Sequence, residues 1–184
     1  MMRRLLAIVG LVAGATAVAA GSPPSAADGI GMPSLKAAFL FTLARFTEWP
    51  AGNPGGPLTL CVRGDAAVDE ELVRLAGHRQ VGGRAIAITR VTESQQLRAC
   101  HLLYLAGNQA AGSAQVLDEV SDLPVLTVGD GELFARTGGV AALFMEGSRM
   151  RFAINPEALL RTGLRLSSKL LGIAKIVKAG DGQP

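Results

Sequence analysis

Two hydrophobic periods alternate along the chain and predict a domain that combines helices with strands. Between Pro33 and Trp49, apolar residues recur every three or four positions, which is typical of a helix with one buried face. Ser34 is the expected cap of this helix, and Trp49–Pro50 is its expected end, because proline drives its predecessor out of helical backbone. Four short apolar stretches of strand length follow at 58–62, 84–89, 102–105 and 125–128.

Helical segments separate these four strands. They are expected at Asp65–Leu75, with Asp65 as the cap, and at about 93–97, 113–120 and 130–136. A repeated order of strand and helix predicts a largely parallel sheet that is covered by helices on both faces.

The C-terminal part departs from this order. Strands at Val140–Met145 and Met150–Ile154 flank Glu146–Arg149, whose length and glycine predict an antiparallel hairpin at the sheet edge. Asn155 and Pro156 predict the start of a helix that Gly163 interrupts, and helical sequence resumes over 167–178. The predicted fold class is α/β, with a mixed, mostly parallel sheet of about six strands, helices on both faces and an antiparallel C-terminal hairpin.

The N-terminal segment has the three-part layout of a secretory signal peptide. Arg3 and Arg4 precede an apolar run at 5–12 that is too short to span a bilayer, and small residues follow. We expect residues 1–27 to be a cleaved signal peptide, 28–178 a single α/β domain and 179–184 a disordered tail; the alternative is an uncleaved anchor. The periplasm has no pool of ATP or NADPH, so export there favours a binding or regulatory role. We expect no direct membrane insertion after the signal peptide is cleaved.

Cys61 and Cys100 are the only cysteines of the chain. In an oxidising compartment, an isolated pair usually forms one disulfide. Cys61 lies in the first predicted strand and Cys100 leads into the third, and such strands are often neighbours in a doubly wound sheet. We therefore expect a Cys61–Cys100 bond; the alternative is two buried reduced thiols.

Catalytic signatures are largely absent from the sequence. The two histidines are His78, expected in an exposed turn, and His101, expected as a structural residue at the start of a strand. The sequence has no nucleophile elbow, phosphate-binding loop or metal-ligand spacing, so no enzyme, cofactor or metal site is expected. It also has no basic block and only 4% aromatic residues, which argues against binding to nucleic acid.

Polar residues are concentrated near the hairpin. Arg149 and Arg151 are two positions apart on a strand and share a face, which suits a carboxylate, a phosphate or an acidic patch on a partner. The alternative is an edge strand that is charged only to prevent aggregation. Glu48 is unusual at the end of an apolar stripe and is a candidate partner for a basic residue of the tail. The candidate surface for a partner or ligand comprises Glu48, Trp49, Glu146, Arg149, Arg151, Asn155 and Lys169.

Three segments resemble signatures of a known family. They are Lys36–Leu40 with Phe46–Pro50, then Pro124–Asp130, and finally Arg151–Asn155 with Gly163–Leu171. In this order they resemble the YfiR family of periplasmic proteins. The resemblance implies a non-enzymatic repressor that binds the periplasmic domain of an inner-membrane diguanylate cyclase of the YfiN type. Such a repressor controls cyclic di-GMP and biofilm formation, and some members of the family form homodimers.

The resemblance also extends to the cysteines. Cys61 and Cys100 match one of two cysteine pairs in that family, whereas 144–152 contains no cysteine for the second pair. Two other classes of function stay open at this point. One is a periplasmic binding protein that holds a small anion with Arg149 and Arg151, and the other is an unrecognised hydrolase.

Overall fold

The computed structural model describes residues 31–50, 56–77, 79–107 and 110–180, with side chains described from Gly112 onward in the last range. The predicted signal peptide, His78 and residues 181–184 of the predicted tail lie outside these ranges. Within these ranges the α-helices are α1 (Met32–Arg45), α2 (Ala66–Ala76), α3 (Ala110–Val120), α4 (Glu132–Arg136), α5 (Pro156–Thr162) and α6 (Ser168–Leu171). The strands are β1 (Thr47–Glu48), β2 (Leu58–Arg63), β3 (Gln80–Val81), β4 (Arg84–Arg90), β5 (Leu102–Leu105), β6 (Leu126–Asp130), β7 (Ala141–Glu146), β8 (Arg149–Ile154), β9 (Arg165–Leu166) and β10 (Lys175–Ile176), and a 3₁₀ helix covers Ser94–Ala99.

Eight strands form the main sheet in the order β10-β8-β7-β6-β5-β2-β4-β3, and β1 pairs with β9 separately. The five strands from β7 to β4 are mutually parallel, whereas β8 is antiparallel to β7 and β3 is antiparallel to β4. The predicted α/β class is therefore confirmed. The prediction of about six strands falls short by the two-residue strands β3 and β10. Because β10 pairs with β8, the hairpin lies one strand inside the sheet edge.

Successive side chains of each strand point to opposite sheet faces, so the hydrophobic core is divided between the two faces. Leu60, Val62 and Tyr104 point to one face, where the apolar sides of α1, α2 and α5 cover them. Cys61 and Leu103 point to the other face, against the 3₁₀ helix, α3 and α4. Helices on both faces were predicted, and the period of two in the strands produces this division. In the part of the chain that the structure describes, no helix has the length and apolarity to cross a membrane.

The first helix differs from its prediction at both ends. It begins after Gly31 without a side-chain cap, so Ser34 lies inside the helix. Helix α1 ends at Arg45 rather than at Trp49, because Thr47 and Glu48 pair with β9. The final helix predicted over 167–178 is also wrong: only Ser168–Leu171 is helical, and the chain then pairs with β8 as β10. After α1 and after α6, pairing with a strand distant in sequence overrides a local preference.

The predicted disulfide is present. Cys61 and Cys100 are bonded with their Cα atoms 5.8 Å apart. Cys100 ends the 3₁₀ helix, which packs on the sheet face that Cys61 points to. The bond therefore forms across the face of β2 rather than between the ends of two strands. It closes a loop that contains α2, β3, β4 and the 3₁₀ helix.

Candidate functional site

The β7–β8 hairpin extends beyond the rest of the sheet. Asp130, the last residue of β6, is in register with Leu143, so the three remaining residues of β7 have no β6 partner. Strand β8 returns antiparallel with Glu146 opposite Arg149 and Phe144 opposite Arg151. The hairpin tip consequently projects from the carboxyl edge of the parallel strands.

Charged side chains on this projection are exposed. Arg151 donates through Nε to Oε2 of Glu146 at 3.2 Å, and the two side chains are 48% and 64% exposed. Arg149 lies on the same exposed face, and Met150 between them is buried. An ion pair this exposed contributes at most about 1 kcal/mol to stability, so the pair is easily exchanged for contacts with a partner.

Apolar side chains accompany these charges. Ile173, in the turn before β10, is 69% exposed, whereas the exposed Met145 points with Met150 to the other face of the hairpin. A shallow cavity of about 260 Å³ lies between the hairpin and this turn, with Phe144 and Arg151 in its wall. Exposed apolar groups interleaved with arginine are typical of protein interfaces. We call this area the hairpin surface; it comprises Phe144, Glu146, Arg149, Arg151, Ile173 and Lys175.

Lys175 belongs to the hairpin surface although its sequence context did not mark it as a candidate. Its ammonium lies 5.5 Å from the centre of the Phe144 ring and donates to Oε1 of Glu132 at 2.8 Å. The pairing of β10 with β8 brings Lys175 to this place, and no local sequence pattern predicts that pairing.

The other predicted surface residues do not join the hairpin surface. Asn155 is fully buried: it caps α5 through the backbone N–H groups of Glu157 and Ala158, and its amide donates to the Ala135 carbonyl at 2.7 Å. Its assignment to a surface is therefore wrong, whereas its assignment as a helix cap is confirmed. Lys169 is exposed on α6, and among the described residues it forms no ion pair.

Glu48 and Trp49 lie at the opposite, amino edge of the sheet. Glu48 is exposed and in register with Arg165 of β9, so the tail does supply a basic neighbour. Trp49 donates through its indole N–H to the His101 carbonyl at 3.3 Å and meets the His101 ring edge-on. Because His101 immediately precedes β5, this pair closes the end of the sheet farthest from the hairpin tip.

His101 is a structural residue, as predicted. Its ring is buried, Nδ1 accepts from the Thr59 backbone N–H at 3.1 Å, and Nε2 lies 2.9 Å from a guanidinium nitrogen of Arg84. Burial, and then the positive charge of Arg84, lower the pKa of His101. The neutral imidazole therefore persists in the folded protein at a pH where it would be protonated in the unfolded chain.

This difference predicts a pH-dependent contribution to stability. His101→Asn keeps an acceptor for Thr59 but does not titrate. We expect the stability of the wild type relative to this variant to be greatest above about pH 6.5, where the unfolded histidine is neutral, and to decline as the pH falls below that value. Urea unfolding of both proteins between about pH 7.5 and about pH 5 measures the difference. A difference that stays constant with pH would contradict the assignment.

A polar cluster that the sequence patterns did not indicate lies beside the hairpin, at the carboxyl ends of β5 and β6. Lys36 of α1 donates to the Tyr104 hydroxyl at 2.8 Å and to Oδ2 of Asp130 at 2.9 Å. The Tyr104 hydroxyl also donates to Oδ2 of Asp130 at 2.9 Å. Burial, and then the negative charge of Asp130, raise the pKa of Tyr104 far above its ordinary value, so the phenol remains a donor. The cluster fixes the end of β6, from which the chain passes into α4 and β7.

Comparison with known proteins identifies the family. The model of the YfiR/HmsC-like family (DUF4154) matches residues 33–175, which is most of the chain. The chain belongs to the YfiR/HmsC-like family. This family is periplasmic, regulatory and non-catalytic, and it acts with membrane proteins. The resemblance of the three sequence segments to the YfiR family is thus confirmed.

Two solved structures share the fold at low sequence identity. A conserved domain protein from Vibrio cholerae O1 biovar El Tor aligns with 79% of this chain at 10% identity and a TM-score of 0.52. An ABC domain in complex with L-Trp from Streptococcus pneumoniae aligns with 79% at 9% identity and a TM-score of 0.51. In both cases the match spans 60% of the other chain. These similarities establish the arrangement of strands and helices and nothing about ligands.

Proposed function

We propose that this protein is a periplasmic regulator that binds the periplasmic domain of an inner-membrane diguanylate cyclase and holds the cyclase inactive. The observation that carries the proposal is the family match over residues 33–175. In this scheme, release of the regulator raises cyclic di-GMP in the cell and favours biofilm growth. A signal peptide at 1–27 accounts for export, and a homodimer is compatible with the scheme.

The hairpin surface is the contact that we assign to this partner. Inhibition by binding requires that the regulator prefer the inactive state of the cyclase, since a ligand shifts an equilibrium only by its differential affinity. A projecting hairpin with exchangeable charges and exposed apolar side chains suits such a contact. Arg151 and Glu146 form its charged centre, and Phe144 and Ile173 are apolar neighbours.

The anion-binding alternative finds less support at the hairpin. Arg149 and Arg151 do share an exposed face, but the cavity beside Arg151 holds only about 260 Å³ and opens to solvent. A small ligand there would keep much of its surface in water, whereas ligand sites usually bury most of it. The hydrolase alternative has no described histidine at this place, because His101 lies at the amino edge among structural contacts.

Replacement of Arg151 by alanine tests the assignment of the surface. We expect affinity for the cyclase domain to fall by more than about 1 kcal/mol, which is at least about fivefold, because arginine is a frequent interface anchor. Unfolding free energy should change by less than about 0.5 kcal/mol, because the side chain is exposed. The partner is first captured from membranes with the exported protein, and affinity is then measured with its purified periplasmic domain.

Arg161→Ala provides a matched control, since Arg161 is an exposed arginine on α5 outside the hairpin surface. Binding by this variant should equal that of the wild type. If both variants bind as the wild type does, the contact lies elsewhere on the molecule. If no membrane protein with a cyclase domain is captured, the proposed function itself is contradicted.

A further inference from the structure

A cavity lies away from the hairpin surface, at the carboxyl ends of β2, β5 and β6. Its volume is about 660 Å³, within the range of small-molecule sites. Its described walls are 63–65 at the end of β2, 105–107 at the end of β5, residues 112, 113 and 116 of α3, and Asp130. None of these residues was a candidate for binding in the sequence.

The cavity lies between two neighbouring strands whose following helices pack on opposite faces of the sheet. Strand β2 has β4 on one side and β5 on the other, while α2 follows β2 onto one face and α3 follows β5 onto the opposite face. The two connections therefore leave a crevice between the ends of β2 and β5. In open α/β sheets, ligands bind in crevices of this kind, outside the carboxyl ends of the strands.

Arg63, the last residue of β2, supplies an unsatisfied charge at this crevice. Its Nη1 atom is buried and has no hydrogen-bond partner among the described residues. Buried donors without partners cost free energy, and a charged donor costs more than a neutral one. The Arg63 side chain lines the cavity, so an anion bound there would lie beside a guanidinium that forms no ion pair with the described residues.

The neighbouring carboxylates are already engaged by other donors. Asp65 accepts the Val68 backbone N–H and lies 4.0 Å from the Lys36 ammonium. Asp130 accepts Lys36, the Tyr104 hydroxyl and the Gly107 backbone N–H. Lys36 thus serves both carboxylates, and among the described residues neither carboxylate forms an ion pair with Arg63.

These charges define the class of ligand. A guanidinium is suited to a carboxylate or phosphate group. Asp65 and Asp130 on the same walls repel a highly charged anion and favour a ligand body that carries hydrogen-bond donors. We propose that the crevice binds a compact, hydroxylated organic anion whose single carboxylate or phosphate group pairs with Arg63. This site is separate from the hairpin surface and does not depend on the identity of the partner.

Backbone amide NMR on the exported, mature protein tests the proposal directly. The probes are gluconate, a hydroxylated carboxylate, and glycerol 3-phosphate, a hydroxylated phosphate, with uncharged glycerol as the control. We expect saturable shifts at the amides of Gly64, Gly107 and Ser113 with at least one of the two anions. A response to one anion alone identifies the charged group that the site prefers.

Two variants separate this site from a surface effect. Arg63→Gln should weaken anion binding at least tenfold. Arg161→Gln, which replaces an exposed arginine on α5, should leave anion binding unchanged. Gly112→Leu fills the crevice, because a Cβ at Gly112 meets no described atom within 4 Å, and it should also weaken binding at least tenfold. If Arg63→Gln does not fold, Gly112→Leu decides the outcome. Absence of saturable shifts with both anions, unchanged binding in the variants, or equal shifts with glycerol would overturn the proposal.

Discussion

Replacement of Cys61 and Cys100 together by alanine is expected to lower the free energy of unfolding by about 4 kcal/mol. The bond joins residues that are 39 positions apart, and in the chain-entropy model closure of a loop of this length restricts the unfolded chain by that amount. Alanine is the appropriate replacement because both cysteines are buried, and serine would bury a hydroxyl on an apolar face.

Urea unfolding of the oxidised wild type and of the double variant measures this difference. The control is the double variant with and without reductant, which should unfold identically. Thiol counting on the denatured, unreduced wild type should detect no free thiol. A difference in stability below about 1 kcal/mol would contradict the expectation.

The same bond limits how redox conditions can regulate this protein. The sequence contains two cysteines, so the second pair that the YfiR resemblance implies is absent. Cys61 and Cys100 are 1% and 4% exposed, which keeps reductants away from the folded protein. A redox signal would therefore have to act during unfolding or before the fold forms, rather than by opening an exposed bond.

Local hydrophobic patterns predicted the central strands of the sheet but not the pairing of the two-residue strands. The stretches at 58–62 and 102–105 are apolar because both sheet faces are covered, and this property is visible in sequence. Strands β1, β9 and β10 contain two residues each and exist because a distant segment offers backbone partners. A two-residue strand has no period to detect, so its pairing could not be derived.

The candidate site shows the same division. One hairpin carries Glu146, Arg149 and Arg151, so these residues are close in the structure because they are close in sequence. Lys36, Tyr104 and Asp130 are distributed over three elements and meet only because parallel strands end at the same edge. Asn155 illustrates the opposite error: its polar side chain near arginines suggested a surface, but its capping role buries it completely.

Gly129→Ala is expected to destabilise the protein by about 3 kcal/mol, because the added methyl group has no room. A Cβ at Gly129 would overlap the ring of Phe134, and a Cβ at Gly139 would overlap the same ring from its other end. Phe134 is buried, so its ring cannot move aside into solvent. The matched control is Gly112→Ala on α3, where the space is open and alanine should stabilise the helix by up to about 1 kcal/mol.

A double-mutant cycle with Phe134→Leu establishes whether the ring is the cause. The smaller side chain leaves room for the methyl group, so Gly129→Ala should cost at least about 1 kcal/mol less in the Phe134→Leu background. Helix α4, which carries Phe134, also supplies the Ala135 carbonyl to the buried amide of Asn155. A ring displaced by the added methyl group would therefore disturb the cap of α5 as well. If Gly129→Ala lowers the free energy of unfolding equally in both backgrounds, the destabilisation arises in the backbone of β6 and not from contact with the Phe134 ring.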